Sequence, residues 1–265
     1  MLTRHEFLVL DACRDAAAVS GQRDVVRLTG LSLGTVNAVC KRLIGEALLD
    51  ESYRVAPAGM EALEPYRVEN AVIMAAGFAS RFAPISYDKP KGLLKVKGDI
   101  LIERQIRQLK EAGIEDITVV VGYKKEQFFY LEEKFGNTYV CSSDNYFPEN
   151  VFSRYEYEAN IPGVLVPGQV TEWVMEVGTA NRIVKYGETT CEDRYVALGQ
   201  VYFDRAFSEK FIEILEDEYD LPQTKPKLWD QIFAEHTKHG LMQAAGGKID
   251  EISNRLISGV GIRVL

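Results

Sequence analysis

Cysteine is sparse and scattered in this chain: Cys13, Cys40, Cys141 and Cys191 form no C-x-x-C pair and have no histidine close by. That excludes a zinc knuckle and a disulfide framework, and it fits reduced thiols in a cytoplasm. Histidine is scarcer still, and neither His5 nor His236 nor His239 adjoins a nucleophile-like residue. Positive charge is also short. With 31 Lys and Arg against 39 Asp and Glu, the formal net charge of −8 argues against attachment to nucleic acid or anionic membrane by bulk charge. The apolar run at residues 7–10 is too short for the core of a signal peptide or for a membrane span. Neither G-x-x-x-x-G-K-[ST] nor G-x-G-x-x-G occurs, so P-loop and dinucleotide-binding folds are poor accounts of any phosphate site.

What the chain does have is a phosphate cradle of another kind. Residues 72–94 read VIMAAGFASRFAPISYDKPKGLL. Val72, Ile73 and Met74 suit a strand covered on both faces, and Ala75, Ala76 and Gly77 leave the backbone open to a ligand, so that N–H groups of the turn can converge on phosphate oxygens. Arg81 follows Gly77 by four residues and Lys91 by fourteen, with Lys89 and Pro90 beside it. Fixed dipoles and mobile cations would then surround one polyanion. From residue 69 onward strands and helices alternate: 72–75, 100–112, 116–121, 124–134 and 138–142. This pattern predicts a three-layer α/β domain with a mostly parallel sheet, whose ligands sit beyond the carboxyl ends of the strands. Gly77, Gly122, Tyr123 and Asp144 all fall at such ends.

The Ala76-Gly77, Arg81 and Pro90-Lys91 pattern, followed by Gly98 and a helix-like stretch at 100–110, resembles the nucleotidyltransferases that make sugar nucleotides and CDP-alcohols. The Thr171-Glu172-Trp173 and Leu228-Trp229-Asp230 segments look like the choline-pocket segments of bacterial phosphocholine cytidylyltransferases within that family. The resemblance implies a Rossmann-like nucleotidyltransferase domain over residues 69–265. It also implies transfer of a cytidylyl group from CTP to phosphocholine, assisted by magnesium. Arg81 and Lys91 would be catalytic, and Ala75, Ala76, Gly77, Phe78, Ser80, Gly122 and Tyr123 would hold the nucleotide. Asp144 and Asp230 would bind Mg2+, and Glu172, Trp173 and Trp229 would hold the choline head. Independently of the resemblance, Asp144 directly follows a buried strand, where a bound cation offsets the desolvation of its charge. An Asx turn closing the strand is the competing account. The two tryptophans, each beside an acid, suit a quaternary ammonium; from the residues alone core packing is the better account, and the resemblance tips the choice to the choline pocket.

Residues 1–66 follow a different pattern. Helices at 6–18, 23–29 and 32–46, a small hairpin around 53–55 and a last helix opening at Pro57 look like a winged helix-turn-helix, with Thr35, Asn37, Lys41 and Arg42 as candidate groove contacts. Seven Lys or Arg against nine Asp or Glu in this segment leave weak DNA binding through residues 1–66, or a role in packing or homodimer formation. One stretch departs from the family pattern. Members of that family place a further strand and loop where this chain offers only Gly136 and Asn137, so either the domain is trimmed there or some twenty residues are missing, and a break is expected. A sugar 1-phosphate nucleotidyltransferase, a transcription regulator with a nucleotide-sensing domain and an assembly scaffold remain the alternatives.

Overall fold

The computed structural model describes residues 1–14, 19–75, 91–121, 135–178, 182–218, 220–224, 227 and 229–237, and the chain divides into two compact units, Met1–Arg67 and Val68–Leu265.

The first unit packs α1 (Arg4–Cys13), α2 (Gln22–Thr29) and α3 (Leu33–Gly45), followed by an antiparallel bridge between Leu49 and Val55 and by α4 (Pro57–Leu63). Local chemistry sets these boundaries. Thr3 and Glu6 form a reciprocal capping box at α1, Gly30 ends α2 in the left-handed conformation, and the Ser32 hydroxyl accepts the Thr35 N–H at the start of α3. Val9, Leu10, Val25, Val36, Cys40, Leu43 and Leu63 are fully buried between the helices.

Arg42, one of the candidate groove contacts, is engaged within the unit. Its guanidinium lies 2.9 Å from a carboxylate oxygen of buried Glu6 and 2.9 Å from one of Glu46. Thr35 shares a hydroxyl contact of 2.8 Å with Ser32. Burial alone would raise the pKa of Glu6, but the Thr3 N–H and hydroxyl and the Arg42 charge together hold it below its ordinary value.

In the second unit a four-stranded sheet runs in the order β4 (Asp116–Val120), β1 (Asn70–Met74), β5 (Thr138–Ser142), β8 (Gln200–Phe203). The first three strands are parallel, and β8 lies antiparallel at the edge. Before β4 come a two-residue hairpin, β2 (Lys95–Val96) with β3 (Asp99–Ile100), and then helix α5 (Leu101–Glu111). Side chains alternate across the sheet as a strand requires. Ala71, Ile73, Tyr139, Cys141 and Tyr202 pack toward α5, while Val140, Val201 and Phe203 meet α6 (Arg205–Glu218) and α7 (Trp229–Thr237). This is the three-layer α/β architecture predicted from the sequence.

Two features differ from the sequence reading. A long antiparallel ribbon, β6 (Gly163–Val177) with β7 (Ile183–Ala197), was not foreseen, and it bends so that Val174 and Met175 pair with Gly187 and Tyr186 as well as with Val196 and Tyr195. The expected break between Gly136 and Asn137 is absent. The chain runs through both residues as a bend, with the Gly136 N–H donating to Thr138 Oγ1 and Ser208 Oγ donating to the Gly136 carbonyl. Asn137 donates its N–H to Glu69 and accepts the Arg205 N–H. A side chain at Gly136 would overlap the Glu69 carboxylate, so a glycine lets this short connection close.

Glu6 makes the first unit acid-sensitive. Its stabilisation is complete above the unfolded pKa of about 4.3 and is lost as pH falls through the lower folded value. Glu6→Gln is therefore expected to remove part of the acid-induced destabilisation of residues 1–67, read as a flatter pH dependence of amide exchange in α1 and α3.

Candidate active site

Strands β1 and β5 end side by side, Met74 opposite Ser142, and the candidate site lies at these strand ends. The Ala75 N–H is tied to the Val120 carbonyl, which fixes the mouth of the predicted cradle. Ala76, Gly77, Phe78, Ser80, Arg81, Gly122 and Tyr123 lie outside the described residues, as do the helix predicted at 124–134 and the Trp229 side chain. On the β5 side, Ser142 N–H donates to Gly199 O at 2.7 Å and Ser143 N–H to Met74 O at 3.3 Å. These bonds present Asp144 just past the strand end.

Lys91 opens a single 3-10 turn, Lys91–Leu93, and its Nζ lies 3.1 Å from Asp144 Oδ2. The side chains are 22% and 31% exposed, so the pair is neither sealed in the core nor fully solvated. An ion pair of this exposure adds up to about 1 kcal/mol to stability, so the fold does not depend on it. Gly92 explains how the turn comes so close: a Cβ there would lie 3.0 Å from Ser143 Cβ, tighter than an ordinary contact. Beyond Asp144, Arg104 stacks over Tyr146 at 4.8 Å and donates to the carbonyls of Phe147 and Pro148, anchoring the segment that follows.

A second cluster lies where the ribbon meets α7. Trp173 and Tyr186 stack with ring centroids 5.1 Å apart, and Tyr186 meets Phe233 edge-on at 5.4 Å. Trp173 and Tyr186 line a recess of about 250 Å³ shared with Glu188, Lys227, Gln231 and Glu235. Glu188 is the cross-strand partner of Trp173 and so shares its face, whereas pleating turns Glu172 to the opposite face. The acid beside Trp173 in space is thus Glu188, not the Glu172 that adjoins it in sequence. Only the register of the ribbon reveals this, and the register depends on a hairpin that the sequence reading did not include. Asp230, in the first turn of α7, has its pKa raised by burial and by the Glu188 charge, against the opposing bond from the Gln231 N–H. Burial, and then Asp230, push the Tyr186 hydroxyl upward as well.

Among the described residues no three His, Cys, Asp or Glu side chains converge. A hard divalent cation needs only one or two carboxylates when phosphate oxygens complete its shell. Asp144 meets that requirement: it is an oxygen donor at a strand end, and one of its oxygens already faces a cationic nitrogen.

The profile of the MobA-like NTP transferase domain matches residues 71–147, the span from β1 through Lys91 and Asp144. A 2-aminoethylphosphonate cytidylyltransferase from Lancefieldella rimae is 30% identical over 197 aligned positions, covering 63% of this chain and 80% of that protein. The chain belongs to the MobA-like NTP transferase family. It is a nucleotidyltransferase of the cytidylyltransferase group. A choline-phosphate cytidylyltransferase from Streptococcus pneumoniae is 29% identical, with 63% of this chain and 84% of that protein covered. The solved structure of CTP:phosphocholine cytidylyltransferase from the same species superposes with a TM-score of 0.58 at 28% identity, over 65% of this chain and 86% of that one. In the first comparison the 197 aligned positions take in 63% of 265 residues, about 167, so roughly 30 positions of the relative have no counterpart in this transferase.

Asp144→Asn is expected to leave the fold intact and to lower turnover at least about a hundredfold, the scale on which a lost charge-stabilising group acts. The measurement is pyrophosphate release at saturating magnesium, and near-normal turnover would remove Asp144 from the catalytic centre.

Proposed function

We propose that this enzyme transfers the cytidylyl group of CTP to phosphocholine, giving CDP-choline and pyrophosphate. The observation that carries the acceptor assignment is the recess in which Trp173 and Tyr186 present stacked aromatic faces beside Glu188. A quaternary ammonium donates no hydrogen bond, so aromatic faces and nearby carboxylates are the groups able to hold it. The acceptor phosphate is already ionised and attacks the α-phosphorus without a general base, so the protein's task is alignment and charge neutralisation. In this account Asp144 and Asp230 hold Mg2+, which would supply charge neutralisation between the attacking oxygen and the α-phosphate. Lys91, released from Asp144, meets the charge developing on the α-phosphate. Arg81 and the turn from Ala76 to Ser80 retain the departing pyrophosphate, and Gly122 with Tyr123 line the nucleotide. Trp229 is assigned to the acceptor side on sequence grounds alone, and Glu188 takes the place expected of Glu172, which pleating turns to the opposite face.

A second reading has its own support. One relative is named for 2-aminoethylphosphonate, whose primary ammonium donates hydrogen bonds to carboxylates, and the recess carries Glu188 and Glu235. Pyrophosphate release over four nucleoside triphosphates against phosphocholine, 2-aminoethylphosphonate and glucose 1-phosphate separates these assignments. CTP with phosphocholine is expected to give the highest kcat/KM. A preference for the phosphonate selects the second reading, and a preference for the sugar phosphate overturns both. Trp173→Ala should raise KM for phosphocholine by about twofold to about thirtyfold, as loss of roughly 0.5 to 2 kcal/mol of cation–π contact implies, with little change in KM for CTP. Equal effects on both substrates would assign Trp173 to packing.

For residues 1–67 we propose a winged-helix assembly module, serving a homodimer, with at most weak affinity for DNA. The support is the shortage of cations together with the engagement of Arg42 by Glu6 and Glu46. Fluorescence anisotropy with duplex DNA at physiological salt should give no sequence-specific binding tighter than the micromolar range. Nanomolar specific binding would reverse the assignment.

A further inference from the structure

We propose that Gln105 is a positioning residue for the Asp144 turn, acting through the carbonyl of Ser142. The proposal rests on the reading of Asp144 as the metal-binding carboxylate. Gln105 lies on the inner face of α5 and is 1% exposed. Its Nε2 donates to Ser142 O at 2.8 Å. That carbonyl belongs to the last residue of β5, two positions before Asp144, and a second donor, Asn145 Nδ2, stands farther off at 3.4 Å. The Ser142 and Ser143 N–H groups are tied to Gly199 and Met74, so the Gln105 bond is a third tie on the peptide groups that aim the carboxylate.

The choice of residue type carries the inference. Position 105 is one turn from Leu101 and Leu109, both buried, and an aliphatic side chain would fill the same space. Glutamine instead leaves its Oε1 buried without a hydrogen-bond partner among the described residues. A half-satisfied buried amide costs stability that leucine would not. What glutamine supplies in return is the donor to Ser142 O. Groups that orient a metal ligand from behind typically change metal affinity or activity by about 10- to 100-fold when removed.

The test uses the full chain with Gln105→Met, which keeps length and volume but lacks the donor, and Gln105→Asn, which keeps the amide but shortens its reach. Thermal melts establish that each variant is folded. Mn2+ binding in the presence of CTP, followed by the loss of free-ion EPR signal, should weaken about tenfold in a folded variant. In the Asp144→Asn background the same Gln105 change should have no further effect on Mn2+ binding, because two groups acting through one another are not additive. Unchanged Mn2+ affinity in a folded variant, or an additive loss in the double variant, overturns the positioning role while leaving Asp144 in place. If Asp144→Asn alone leaves Mn2+ binding unaltered, the metal reading of Asp144 fails and the proposal fails with it.

Discussion

A lysine ammonium held 3.1 Å from a carboxylate, at the point where two parallel strands end, is the constraint from which the rest of the site follows. Each charge is only partly buried, so the pair stabilises the fold little, yet it requires Gly92 to press against Ser143 and β5 to run alongside β1. An opposed pair of this kind suits charge exchange with a nucleotide. In the proposed reaction the carboxylate would pass to a metal ion and the ammonium to a phosphate oxygen.

How far the sequence revealed this depended on the range of the interactions involved. Residues 138–142 read as a strand because Thr138, Tyr139, Val140 and Cys141 are buried on both faces, and that strand is observed with the same bounds. The start of α3 was legible because a serine hydroxyl capping an N–H three residues on is a purely local interaction. The ribbon of β6 and β7 was not, since its pairing joins residues up to 34 apart and its bend leaves irregular register. Glu188 was missed for the same reason. Arg42 was read correctly as lying on α3, but its partner Glu6 comes from a different helix, and no helical periodicity announces that ion pair.

The family relation explains what the local reading could not. The matched relative carries roughly 30 positions that this chain lacks, and the short connection at Gly136 and Asn137 is where the sequence pattern predicts a strand and loop. The chain has not been left open there. Glu69, Asn137, Arg205 and Ser208 close the short connection with hydrogen bonds at the end of the sheet opposite the Lys91 and Asp144 pair.

The central claim is that the Lys91 and Asp144 pair is the catalytic centre and opens to receive nucleotide and metal. A crystal structure of the full chain with Mg2+ and a non-hydrolysable CTP analogue tests it directly. The account predicts Mg2+ bound to Asp144 and Lys91 Nζ within hydrogen-bond distance of an α-phosphate oxygen, no longer paired to the carboxylate. Nucleotide bound elsewhere, with the 3.1 Å ion pair intact, would contradict it.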